Sequence, residues 1–150
     1  MSPRASSPSD RELAAAAVSG LARASRLLER ASDELSLAHF RVLSAVADGD
    51  QRASRVARRL ALGKPAVSAA VDALCARGLM DRSGVSGDQR AAALSVTAEG
   101  IVVLKRVETA MIGRLEELAA QVPDRQPLLD ALATLGEAID RLRDEREGRQ

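Results

Sequence analysis

The side chains able to do covalent or metal chemistry are few and scattered. The chain has one histidine, His39, one cysteine, Cys75, and no tyrosine or tryptophan. Nucleophilic catalysis needs a nucleophile beside a base, and a structural zinc site needs about four Cys or His ligands. Gly63-Lys64 could end a phosphate-binding loop, but the earlier glycine of that motif falls at Arg58. We therefore predict no catalytic residue, no metal site and no cofactor.

The basic side chains are concentrated in the middle of the chain, although the net charge is only +1. Residues 41–90 carry nine basic and five acidic groups, 1–40 carry five of each, and 91–150 carry eight basic and eleven acidic groups. A basic centre between neutral and acidic flanks is typical of a nucleic-acid-binding surface. Phosphate contacts or ion pairs within the domain are equally good interpretations of Arg55, Arg58, Arg59, Arg77 and Arg82.

The elements that would position this basic centre form a helix-turn-helix followed by a hairpin. Apolar spacing predicts helices over 53–60 and 64–77, joined by a turn at 61–63. Residues 79–82 and 90–96 are predicted to pair as two strands around a polar loop. The second helix of such a unit enters the major groove of DNA, and a hairpin directly after it makes a wing.

Further helices are predicted on both sides of this unit, over 11–31, 36–47, about 98–122 and about 127–143. Ser36 and Thr97 are suited to cap two of them. The last helix carries a heptad pattern, which requires a partner helix, at Leu128, Leu132, Leu135, Ile139 and Leu142. We expect 11–35 and 98–146 to form a homodimer, 36–97 to bind DNA and 1–10 to be a disordered tail.

This order of elements resembles the MarR (multiple antibiotic resistance regulator) family. The segments that carry the resemblance are LSLAHFRVL (35–43), VARRL (56–60), KPAVSAAVDAL (64–74) with RGL (77–79), and DQR (88–90) with LSVTAEG (94–100). The resemblance covers nearly the whole chain. It implies a mainly α fold with a small β-hairpin, in which a winged helix-turn-helix domain lies between long dimerisation helices.

The resemblance also implies which residues meet double-stranded DNA. In the wing, Arg90 is expected to enter the minor groove and Asp88 to position it. The family usually has arginine between them, so Gln89 removes one positive charge from the wing. In the recognition helix we expect contacts from Lys64, Pro65, Ala66, Ser68 and Ala69. Around that helix, phosphate contact is one of the two interpretations of Arg55, Arg58, Arg77 and Arg82, beside ion pairs within the domain.

Few of these side chains can read bases by hydrogen bonds. Lys64 and Ser68 can donate to bases or phosphates, whereas Ala66 and Ala69 can at most touch a thymine methyl group. We therefore predict that DNA shape, phosphate contacts and the wing carry much of the specificity.

Two sites in the sequence could act as sensors. His39 with Phe40 could line an effector pocket between the flanking helices and the DNA-binding part, where the family binds small ligands; a surface or interface histidine is an equal interpretation. Cys75 could sense oxidants, as in some relatives, but those place the thiol near the N-terminal helix. The better interpretation is that Cys75 is a packed or partly exposed cysteine without a redox role.

Together these features predict a cytoplasmic, sequence-specific transcriptional regulator that binds a pseudo-palindromic operator as a homodimer. We expect a repressor that a small-molecule effector releases, with no membrane segment and no enzymatic activity. The alternative is a helical protein-interaction module whose winged domain does not bind DNA. The salt dependence of binding separates the two, because neutralised phosphates release counterions.

Overall fold

The structure, a computed structural model, describes residues 9–83 and 93–147. Within these ranges the chain forms six helices and one antiparallel hairpin, as predicted for its fold class. The elements in chain order are α1 (Asp10–Glu29), α2 (Leu37–Ala47), α3 (Ala53–Leu60), α4 (Lys64–Ala76), β1 (Met80–Ser83), β2 (Ala93–Val96), α5 (Ala98–Ala119) and α6 (Arg125–Glu147). The strands pair from Met80 opposite Val96 to Ser83 opposite Ala93.

The hydrophobic core lies between α2, α3, α4, the hairpin and the first half of α5. It is built almost entirely from aliphatic side chains, because Phe40 is the chain's only aromatic residue and is only partly buried. The largest fully buried side chains are Val42, Leu43, Val56, Val67, Val71, Leu74, Met80 and Val107. The core therefore supports the helix-turn-helix, the hairpin and the first half of α5, whereas α1 contributes no buried residue.

The turn between α3 and α4 is tight because Ala61 adopts a left-handed conformation, with φ of 51°. Its amide donates to the Arg58 carbonyl oxygen at 3.1 Å, and the Leu62 amide donates to the Ala57 carbonyl oxygen at 3.0 Å. Glycine usually occupies this position, since a Cβ costs about 1–2 kcal/mol there. Gly63 then caps α4, and Pro65 lies in its first turn.

Thr97 joins the hairpin, the end of α4 and the start of α5. Its hydroxyl donates to the Gly78 carbonyl oxygen at 2.7 Å and accepts from the Gly100 amide at 3.0 Å. Its own amide donates to the Leu79 carbonyl oxygen at 3.2 Å. The residue therefore caps α5 and fixes the direction in which that helix leaves the hairpin.

Replacing Thr97 with alanine is expected to lower the free energy of unfolding by about 1–2 kcal/mol, because the first turn of α5 loses its cap. Thr97→Ser keeps the hydroxyl and is the matched control. Urea unfolding of both variants at one protein concentration measures the difference. Equal stability of the alanine and serine variants would contradict the capping role.

The flanking helices leave apolar side chains at the surface of the single chain. Helix α1 buries no residue, and Leu13 and Val18 are 53% and 68% exposed. On α6, Ile139 and Leu142 are each 57% exposed. Within the described ranges, no helix has both the length and the apolar composition needed to cross a bilayer.

Candidate nucleic-acid interface

Helix α4 presents one face to the core and the other to solvent. Val67, Ala70, Val71 and Leu74 are buried against the core. All five residues that the sequence predicted for DNA contact on this helix are exposed, namely Lys64, Pro65, Ala66, Ser68 and Ala69. The helix-turn-helix thus holds these side chains together on an accessible surface.

The N-terminus of α4 is suited to an anion. Gly63 offers no side-chain acceptor to the first turn, so that turn keeps unsatisfied amide donors. The helix dipole adds positive potential at this end, and Lys64 adds a full charge. A DNA phosphate at this position would accept hydrogen bonds from the unsatisfied amides and would pair with the positive charge of Lys64.

Three of the predicted phosphate-contacting arginines are exposed around this helix. Arg55 and Arg58 lie on α3, and Arg77 follows the last residue of α4. None of the three takes part in an ion pair among the residues that the structure describes. Their charges are therefore available to a polyanion.

Two other arginines form ion pairs within the domain. Arg59 bridges Asp48 at 2.7 Å and Asp50 at 3.2 Å, which ties α3 to the loop after α2. Arg82, which the sequence placed at DNA, lies with its Nη2 atom 2.6 Å from Oδ1 of Asp72. The sequence allowed either a phosphate contact or an ion pair for Arg59 and Arg82. The structure shows that both form ion pairs.

The predicted wing residues Asp88, Gln89 and Arg90 lie outside the described residues, so their contacts stay a prediction. The base of the hairpin is described and is anchored by a backbone contact that the sequence did not reveal. The Leu94 amide of β2 donates to the Gln51 carbonyl oxygen at 2.8 Å. This contact joins the hairpin to the loop between α2 and α3, and no side-chain pattern signals it.

The two residues predicted for an effector pocket lie in the first turn of α2. The His39 amide donates to the Ser36 hydroxyl at 3.2 Å, and the Phe40 side chain packs against the core. Both are partly buried. The pocket itself stays a prediction.

Cys75 packs beside the core at the end of α4. Burial raises the pKa of its thiol above the ordinary value, and the nearby Asp72 and Asp81 carboxylates add to the effect, against an opposing contribution from Arg82. A thiol with a raised pKa has little thiolate at neutral pH and reacts slowly. The environment therefore supports the interpretation of Cys75 as a bystander.

Cys75 in the folded protein is expected to react with iodoacetamide several-fold more slowly at pH 8 than in the urea-unfolded chain, because the folded thiol keeps its proton to higher pH. Raising the pH should increase the rate in the folded protein beyond the point where the unfolded rate levels off. Mass spectrometry of timed samples measures both rates. A faster folded than unfolded reaction would show an activated thiol instead.

Two helices joined by a three-residue turn, an exposed second helix, a following hairpin and long outer helices define a winged helix-turn-helix protein with flanking helices. Residues 33–91 match the sequence model of the MarR family. This match confirms the resemblance to the MarR family drawn from the sequence, and the members of that family are DNA-binding transcription regulators. A comparison with curated protein sequences finds no match.

Solved structures of this family share the fold over nearly the whole chain. MarR of Staphylococcus aureus, solved in complex with salicylate and kanamycin, is 16% identical with a TM-score of 0.75 over 88% of this chain and 90% of that one. Apo MarR of E. coli is 18% identical, with a TM-score of 0.65 over 87% and 96%. PcaV of Streptomyces coelicolor, solved with its natural ligand, is 21% identical, with a TM-score of 0.61 over 96% and 98%.

Proposed function

We propose that this protein is a homodimeric transcriptional regulator that binds a pseudo-palindromic operator and represses transcription, with no catalytic role. The observation that carries the proposal is the exposed face of α4, whose first turn combines free amides with Lys64. Arg55, Arg58 and Arg77 flank it with exposed charges. This arrangement matches the insertion of a recognition helix into the major groove.

The exposed apolar side chains support dimerisation through α1, α5 and α6. The later part of the apolar seam on α6, at Leu135, Ile139 and Leu142, is exposed in the single chain and is suited to a second copy. A two-fold dimer is the commonest oligomer, and it would place two recognition helices about one DNA turn apart. An inverted repeat is the sequence that such a pair recognises.

Specificity in this proposal comes mainly from DNA shape, phosphate contacts and the wing. The outward face of α4 offers Lys64 and Ser68 as hydrogen-bonding side chains, beside Pro65, Ala66 and Ala69. An arginine inserted into a narrow minor groove meets strong negative potential. Arg90 is the residue that we assign to that role.

We further propose that a small molecule releases the protein from DNA by changing the separation of its recognition helices. S. aureus MarR was solved with salicylate, and BpsR of Bordetella bronchiseptica is regulated in its DNA binding by 6-hydroxynicotinic acid. In this chain, Arg106 of α5 bridges Glu34 at 3.0 Å, which connects a flanking helix to the junction before α2. Unchanged operator affinity and half-site spacing across a broad ligand screen would reject this part.

The first test is selection of bound duplexes from a random pool at near-physiological salt, followed by sequencing. An enriched inverted repeat with half-sites about one turn apart would support a dimeric, sequence-specific regulator. Recovery of duplexes without a common motif would favour a non-specific DNA binder. Recovery of no DNA would favour the protein-interaction alternative or a protein held off DNA by a ligand retained during purification.

A further inference from the structure

The exposed face of α4 carries one acidic side chain, Asp72, the only acidic residue of the helix. By helical spacing Asp72 lies on the same side as Pro65 and Ala69, and its side chain is 63% exposed. A carboxylate on a surface that meets a polyanion opposes every phosphate near it. The Asp72 carboxylate is therefore expected to weaken DNA binding, so its position on this surface calls for a functional explanation.

The partner of Asp72 is Arg82 of β1, with Nη2 and Oδ1 2.6 Å apart. Arg82 lies on the same side of the hairpin as Met80, because alternate residues of a strand share a face, and Met80 is buried. The Arg82 side chain is therefore directed toward α4. Asp81, between the two, points to the opposite side and is exposed.

We propose that Asp72 is a specificity-determining residue, which lowers the affinity for DNA of arbitrary sequence more than the affinity for the operator. It does so by holding the Arg82 guanidinium in an ion pair, so that this cation is withheld from DNA phosphates. The inference rests on the proposed DNA-binding function. It names how that same surface discriminates between DNA sequences.

The physical basis is the difference between the two kinds of complex. Non-specific binding consists almost entirely of phosphate contacts, and the protein is free to shift until any available cation meets a phosphate. In the operator complex, base contacts and the wing fix the register, so an additional guanidinium gains only if a phosphate already lies within its reach. Removing one free guanidinium from the surface therefore costs the non-specific complexes more.

The test is Asp72→Asn, measured by fluorescence anisotropy on a selected operator and on a scrambled duplex from about 50 to 200 mM salt. We expect the affinity for the scrambled duplex to rise about three- to tenfold near 0.1 M salt, and the salt slope to steepen by about one as one more phosphate is contacted. The ratio of operator to scrambled affinity should fall. Circular dichroism checks that the variant is folded.

Two further variants distinguish the effect of releasing Arg82 from the effect of removing one negative charge. Asp81→Asn removes the same charge beside Arg82 but from the other side of the hairpin, and it should leave the salt slope unchanged. In an Arg82→Gln background, Asp72→Asn should no longer steepen the slope, since the released cation is gone.

The inference is overturned if Asp72→Asn behaves like Asp81→Asn, if its steeper slope persists without Arg82, or if both duplexes gain affinity equally. In each of these cases the unchanged protein still binds DNA, so the proposed function stands. If the unchanged protein shows no salt-dependent binding to either duplex, the proposed function fails and the inference fails with it.

Discussion

Replacing Ile139 with glutamate is expected to convert the proposed dimer into monomers and to weaken binding to the proposed operator by about 10²–10⁴-fold, because the second half-site contact is no longer intramolecular. Ile139 is 57% exposed in the single chain and lies in the heptad seam of α6. Two-fold symmetry would bring two such glutamates into one apolar interface, where unpaired charges are strongly unfavourable.

Ala133→Glu is the matched control, since it adds the same charge to the same helix at an exposed position outside the seam. Light scattering after size-exclusion chromatography gives the mass of each variant, and anisotropy with the selected operator gives its affinity. A monomeric Ile139→Glu protein beside a dimeric Ala133→Glu protein would support the proposed interface. A dimer with unchanged affinity in both variants would place the interface elsewhere.

Local signals in the sequence predicted the helices and their ends well, because a cap or a breaker acts on its own neighbours. Ser36 and Thr97 cap α2 and α5 as expected, and Gly78 follows α4 with φ of 68°. The start of α6 was placed too late, at about Pro127. Asp124 accepts from the Gln126 amide at 3.2 Å, and the helix begins at Arg125.

Side-chain partners at the candidate site could not be predicted from the sequence, because they depend on contacts between residues that are distant along the chain. Arg58 and Arg59 are neighbours of identical type, yet Arg58 is exposed while Arg59 bridges Asp48 and Asp50. Which of the two faces acidic partners depends on how α3 packs against the preceding loop. Likewise, the pairing of Arg82 with Asp72 follows from the docking of the hairpin on α4, which sequence spacing alone does not specify.

The need for glycine at position 100 is also invisible in the local sequence, because the atom that excludes a side chain there is a backbone oxygen 21 positions away. Gly100 is buried in the first turn of α5, where the helix crosses the end of the hairpin. A Cβ at this position would overlap the Leu79 carbonyl oxygen and lie 2.7 Å from Cγ1 of Val96. The Leu79 carbonyl already accepts from the Thr97 amide, so moving it would disrupt the cap of α5 as well.

Gly100→Ala is therefore expected to destabilise the fold by about 3 kcal/mol or more, which exceeds the usual cost of one added methyl group because the obstacle is backbone. At about 2–4 °C per kcal/mol for a chain near this size, the melting temperature should fall by roughly 10 °C. The displaced hairpin should also weaken operator binding at temperatures where the variant is still folded.

Gly113→Ala tests the same substitution in the same helix, at a glycine whose added Cβ would meet nothing within 4 Å. Alanine is favoured over glycine in a helix interior by about 0.5–1 kcal/mol, so this variant should melt at the same or a higher temperature. Thermal unfolding followed by circular dichroism, at one protein concentration, compares the two. Equal melting temperatures would mean that α5 can tilt away from the Leu79 carbonyl, and the junction between the hairpin and α5 would then be a hinge rather than a fixed joint.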